Sequence, residues 1–145
     1  FHAHARSYEY KIHNNPIRSS LKNNYYLWEP RKLNIIEMKK AISFLVGEHD
    51  FSCFRGRLCQ AKTPIKTIEY IDIIESNDEL ILKIKANAFL HHMVRNIVGT
   101  ILKIGRGEKD AEWILSVLES KDRKKAGPTA EPQGLYFIKA FYENL

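Results

Sequence analysis

Only two cysteines, Cys53 and Cys59, and two methionines occur in 145 residues. The cysteines lie in FSCFRGRLCQ, a spacing that is neither the CxxC of a zinc ribbon nor that of a thioredoxin-like redox pair. No segment resembling a secretory signal precedes them, which argues against a disulfide-stapled secreted domain. The expectation is two buried or half-buried free thiols in a reducing cytoplasm. No apolar run approaches the roughly 20 residues of a membrane-spanning helix. The HExxH arrangement of a metalloprotease helix does not occur, and there is no internal repeat or low-complexity segment. An initiator methionine is also missing. The chain opens FHAHARSYEY, which reads as the continuation of a longer protein.

What is present fits one ordinary domain, long enough to bury roughly 70% of its unfolded surface. The chain is 44% hydrophobic and 28% charged, the balance of a globular protein. Lys and Arg outnumber Asp and Glu by 23 to 17, giving a formal charge of +6. That excess suits a polyanionic partner such as nucleic acid, although mild basicity alone also fits a protein with no such partner.

Periodicity gives the elements. SYEYKIHN (7–14) alternates and reads as a strand. The Asn-, Ser- and Pro-rich stretch 14–30 reads as a long loop whose Tyr25, Tyr26 and Trp28 pack down. Ile35, Met38, Ile42 and Leu45 recur at helical spacing between a capping Asn34 and a stopping Gly47, so a helix is expected over 34–50. Residues 63–76 and 79–89 are alternating and β-branched, and form an antiparallel pair about a short turn. The stripe Leu90, Met93, Val94, Ile97, Val98, Ile101 and Leu102 predicts a buried helix ending at Gly105. A second helix is expected over 110–119 with Asp110 as its cap. A basic, turn-rich loop (120–133) and a strand (134–145) complete an α+β domain: an antiparallel sheet with helices packed on one face.

Several residues on this frame carry charge or flat rings. If Leu90 and Met93 face the core, His91 and Arg95 share one neighbouring helix face, and His92 and Asn96 share another. Arg95 is then either a surface residue or a fixed cation at a cleft, where its planar fork matches a carboxylate or phosphate. Phe51 and Phe54 alternate with Arg55, Arg57, Lys62 and Lys66, as either an RNA-contacting surface or core aromatics beside solvated cations. The run Lys121, Arg123, Lys124 and Lys125 is a solvated loop or a phosphate contact. Tyr8 and Tyr10 share one face of their strand. The residues by themselves lead to a basic α+β domain with a possible RNA partner.

Four blocks add more. GEHDFSCFR, CQAKTPIKTI, KANAFLHHMVRNIVGT and AGPTAEPQGLY, in this order, resemble the C-terminal part of tRNA pseudouridine synthases of the TruA family. The similarity runs from about Tyr8 to Tyr136. It implies isomerisation of uridine to pseudouridine at positions 38 to 40 of the tRNA anticodon stem-loop, with no metal or organic cofactor. It also implies a cytoplasmic homodimer that holds tRNA on a basic surface, with no membrane. The family's nucleophilic aspartate belongs to a GRTD-type block of the N-terminal half, which this sequence lacks. The resemblance matches the arginine that pairs with this aspartate to Arg95, the tyrosine that contacts the target base to Tyr8, and an apolar residue of the base pocket to Leu135. Arg55, Arg57, Lys62, His91, His92, Lys121, Arg123, Lys124 and Lys125 are the expected RNA contacts. A non-catalytic tRNA-binding module and a plain assembly domain are the competing readings. FHA runs directly into HARSY, where the family carries a few more residues, so residues 1–5 match it less well than Tyr8 does.

Overall fold

Isoleucine- and leucine-rich segments over 65–76 and 79–86 pair as an antiparallel hairpin within the sheet. The computed structural model describes residues 2–143. Phe1, and the last two residues of the strand expected over 134–145, lie outside that range. The strands are β1 (Ala5–Asn14), β2 (Leu27–Glu29), β3 (Gly47–Asp50), β4 (Ile65–Ser76), β5 (Glu79–Ala86) and β6 (Leu135–Phe141). The helices are α1 (Ile35–Ser43), α2 (Met93–Gly105) and α3 (Trp113–Ser120). The protein is an α+β fold with a six-stranded, mostly antiparallel sheet. Among the described residues, no helix is long and apolar enough to cross a membrane.

The sheet runs β2-β1-β5-β4-β3, and β6 also pairs with β1. One edge of β1 therefore serves two strands. Residues 5–10 pair antiparallel with β6, while Ile12 to Asn14 pair in parallel with Leu27 to Glu29. The β1–β6 register shifts between Ser7 and Tyr8. β4 and β5 meet in a hairpin in which Ser76 opposes Glu79 and Asn77 takes the left-handed conformation at φ 55°, which asparagine tolerates better than most residues. On β5, Leu80, Leu82, Ile84 and Ala86 face the core while the residues between them are half-exposed.

Against that inner face lies α2. Met93, Val94, Ile97, Val98, Ile101 and Leu102 are all buried, each worth roughly 1.5–3 kcal/mol of transfer free energy. The stripe is the one expected, but the helix begins at Met93 because His92 sits before it in a left-handed turn at φ 61°. α1 is shorter than expected. Asn34 does cap it, accepting from the Glu37 amide at 3.1 Å, but the amides of Phe44 and Leu45 turn back to the third residue before each. Gly47 at φ +100° then redirects the chain into β3, which fills the free edge of β4. Asp110 accepts from the Trp113 amide at 3.0 Å and closes the turn that leads into α3. Trp28 packs down within the 14–30 stretch, donating from its indole to the Asn15 carbonyl at 2.8 Å, whereas Tyr25 is exposed.

One contact places the 127–131 loop. A Cβ on Gly99 would stand 1.6 Å from the Pro128 carbonyl oxygen, so only glycine lets the loop lie on α2. Gly99→Ala should lower stability by roughly 1–3 kcal/mol or more, in the range of overpacked cores. The denaturant midpoint should fall, and a midpoint equal to that of the parent would show that the loop shifts freely.

Candidate active-site cleft

Arg95 stands in the first turn of α2, and two backbone groups of one residue hold it. Its Nε donates to the Ala130 carbonyl at 2.7 Å. Its own carbonyl accepts from the Ala130 amide at 3.0 Å. Nη1 lies 3.2 Å from His92 Nε2. No carboxylate pairs with Arg95 among the described residues. The guanidinium lines a cleft of about 330 Å³ together with Tyr8, Phe89, His92, Pro132 and Leu135. A fixed cation at an apolar-walled opening strengthens whatever anion meets it, because the local dielectric is low.

Tyr8 and Leu135 form the sheet side of the cleft. The Tyr8 ring packs edge-on against Phe89 at 4.9 Å and Phe137 at 5.5 Å. Leu135 opens β6 directly after the short Pro132–Gly134 turn and pairs with Tyr10. Tyr10 is buried, and its hydroxyl donates to the Glu131 carbonyl at 2.5 Å. Burial first, then the nearby Glu131 carboxylate, pushes its ionisation far above the ordinary tyrosine value. Tyr10 is thus a fixed support for the loop rather than an acid or base.

Asn96 anchors the other side. It is fully buried and its Nδ2 donates to the Phe54 carbonyl at 2.8 Å. Its Oδ1 accepts from Thr129 Oγ1 at 2.6 Å and from Arg123 Nη2 at 2.9 Å. Arg123 also donates to the Gly127 carbonyl at 2.7 Å, and Thr100 Oγ1 accepts from the Gly127 amide at 2.9 Å. Among the expected RNA contacts, Arg123 therefore has its fork directed inward, onto protein oxygens. Lys121, Lys124 and Lys125 are exposed, as are Arg57, Lys62 and His91, and Arg55 donates to the Ala61 carbonyl at 2.5 Å.

The helical spacing of His91 and Arg95 does not survive the left-handed turn: His92, not His91, meets the guanidinium. The two imidazoles stack at 3.8 Å. Burial, then the neighbouring His91, Arg95 and Arg123, hold His92 below the usual histidine value. Phe51 and Phe54 have no exposed surface and stack on each other, so they are core rather than base-contacting rings. Both cysteines are free. Burial pushes Cys53 up to about 12. For Cys59 burial acts upward, but the Ala61 and His91 amides and Arg55 outweigh it and the net direction is down. Among the described residues, no three His, Cys, Asp or Glu side chains converge to hold a metal ion. Sequence reasoning missed Phe89 and Pro132 as cleft walls. It also missed Ala130, which acts through its backbone and so carries no side-chain signal.

Comparison with known proteins identifies the family. The sequence model of the family described as tRNA pseudouridine synthase matches residues 41–143. A protein of Pseudomonas aeruginosa named tRNA pseudouridine synthase A is 46% identical over 142 residues, covering 98% of this chain and 50% of the relative. Proteins of the same name from Nitrosococcus oceani (44% identical, 98% and 55% covered) and Janthinobacterium (46% identical, 99% and 53% covered) are similar to it to the same degree. The chain spans about half the length of these relatives. With a family match over most of its residues, the chain belongs to the tRNA pseudouridine synthase family.

Proposed function

We propose that this chain is the C-terminal domain of a tRNA pseudouridine synthase, acting as a cytoplasmic homodimer on uridines at positions 38 to 40 of the anticodon stem-loop. The observation that carries the reading is Arg95. A guanidinium clamped by Ala130 and His92 at a cleft, with no carboxylate partner among the described residues, suits an acidic group supplied from outside these elements. In the proposed enzyme that group is the nucleophilic aspartate of the N-terminal half, which Arg95 keeps ionised and oriented. The reaction breaks the N1–C1′ bond of uridine and forms C5–C1′. The C5 proton is lost and N1 regains one, so no outside oxidant or reductant is needed.

Tyr8 and Leu135 offer an aromatic face and an apolar wall of a size for a flat base, which must leave its stack to reach the cleft. The basic segments at Arg55, Arg57 and Lys62 and at Lys121 to Lys125 both attach to the start of α2, beside Arg95. The first is tied there by the Gly56 amide, which donates to the His91 carbonyl at 2.8 Å. The second is tied there by the Arg123–Asn96 contacts. Arg123 in this reading orders the segment while its neighbours meet phosphates.

The direct test incubates unmodified tRNA with this chain, with a separately made N-terminal half, and with both, and maps pseudouridine chemically. Product is expected only with both halves. Product from this chain alone would overturn the missing-nucleophile reading. Retained tRNA binding with no product from the reassembled halves would assign the chain to a non-catalytic docking module.

In the full-length enzyme, Arg95→Ala leaves a charge unpaired, which typically costs about 3–5 kcal/mol. Turnover should fall roughly two to four orders of magnitude, with tRNA affinity nearly unchanged. Arg95→Lys should rescue poorly, since an ammonium cannot keep both present contacts and also fork a carboxylate. Near-parental turnover of Arg95→Ala would remove Arg95 from the chemistry.

Binding of tRNA should weaken steeply with salt. The log–log slope is expected near −0.7 to −0.9 for each phosphate neutralised, and Lys124→Ala should make it shallower by about one contact. Affinity that is flat between low and moderate salt would rule out the phosphate-binding role of these segments.

A further inference from the structure

His92 is the residue that the functional reading leaves unexplained. It adopts φ 61° and ψ 9°, a left-handed conformation that non-glycine residues seldom occupy. Such strain persists where surrounding contacts over-determine it, and it clusters at functional sites. The contacts are evident. The Gly56 amide holds the carbonyl of His91 at 2.8 Å, and the amide of His91 points to Cys59 Sγ at 3.4 Å. A Cβ on Gly56 would come within 2.8 Å of both the His91 ring and its carbonyl oxygen, so this close latch needs glycine. The latch and the start of α2 fix the backbone on both sides of His92.

The result is an imidazole aimed at a guanidinium. Arginine has only donors, so at 3.2 Å from Nη1 the Nε2 of His92 must be the acceptor, and the ring proton sits on Nδ1. We propose that His92 is a positioning residue for Arg95. Its neutral ring accepts from Nη1 while Ala130 accepts from Nε, and the hydrogens of Nη2 are left for an anion in the cleft. This rests on the reading of Arg95 as the partner of the nucleophilic carboxylate.

The proposal carries a pH dependence of fixed sign. The groups that reach His92 are His91 in the same turn, Arg95 on α2 and Arg123 in the turn after α3, with no carboxylate among them. All disfavour an imidazolium, as burial does, so the ring stays neutral to below the usual histidine range. Once protonated, His92 becomes a donor on both nitrogens and can no longer hold Nη1. Turnover therefore falls as pH drops through the lowered His92 value, while binding through the exposed lysines does not follow it.

Two substitutions separate hydrogen-bond acceptance from shape. His92→Gln places a carbonyl oxygen within reach of Nη1 but does not titrate. His92→Leu has similar bulk and no acceptor, and both side chains bear the same left-handed backbone strain. In the full-length enzyme, single-turnover rates are measured across pH with tRNA affinity alongside. We expect Gln to keep the plateau rate to within about tenfold and to lose the acid limb. Leu should be about 10- to 100-fold slower than the parent on the plateau, the scale of a lost hydrogen bond to a charged group, and should also lack the acid limb. Affinity should change little in either. Equal rates for Gln and Leu, or an acid limb that persists in Gln, overturns the proposal while leaving Arg95 in place. Full turnover by Arg95→Ala instead overturns the Arg95 reading, and the catalytic purpose of His92 with it. Nitrogen-15 spectra of histidine-labelled enzyme give an arm independent of activity: an unprotonated Nε2 on His92 at neutral pH is expected, and a protonated Nε2 overturns the geometry.

Discussion

The paired hydrogen bonds between Arg95 and Ala130 organise the cleft. They exist because Gly99 lets the Pro128 carbonyl lie against α2 at a distance no side chain allows. From that contact follow the positions of Thr129 on Asn96, of Glu131 over the Tyr10 hydroxyl, and of the Pro132–Gly134 turn that launches β6. Gly134 is a second close approach, with 2.7 Å between its would-be Cβ and the Lys11 carbonyl. A loop that looked merely basic and turn-rich is therefore the element that joins helix to sheet.

The polar interior makes this join specific. Asn96, Thr100, Thr129, Arg123 and the backbone of Gly127 satisfy one another, and no buried side-chain polar atom among the described residues lacks a partner. Satisfied buried networks are costly to disturb, because removing one member leaves another stranded in low dielectric. The cluster explains why a helix with an apolar stripe also carries Asn96 and Thr100 inward.

The apolar periodicities were legible because burial selects them directly: the β5 alternation from Leu80 to Ala86 and the α2 stripe from Met93 to Leu102 are buried as expected, while the β4 alternation is broken by the register shift between Ile68 and Tyr70. Asn34 was legible for the same kind of reason, since its cap is local. What periodicity could not show was anything decided by φ at one residue. His92 in a left-handed turn moved the start of α2 and changed which histidine meets Arg95. α1 ended at Ser43, and Gly47 in its left-handed conformation turned 47–50 into β3. β2 was hidden because three residues paired in parallel leave no pattern of their own. At the cleft, the roles of Arg95, Tyr8 and Leu135 came from resemblance to a family. The structure brings the three together, while Phe51 and Phe54, read from composition as either core or base-stacking, proved to be core.

β1 is hydrogen-bonded along both of its sides, to β5 on one and to β6 and β2 on the other, and Tyr8 sits on it beside the register shift. The opposite wall is the start of α2, whose Arg95 is joined to Ala130, while the exposed Lys124 and Lys125 lie in a short turn. Opening free energies follow such differences: backbone amides in a doubly paired central strand exchange with solvent only through near-global unfolding, whereas turns exchange through local openings. Tyr8 therefore stands on a strand with the lifetime of the whole fold, whereas the turn that carries Lys124 and Lys125 opens locally. In the proposed enzyme, an RNA arriving over those lysines would meet a turn able to adjust to it, while the tyrosine that would receive the base stays where the sheet holds it.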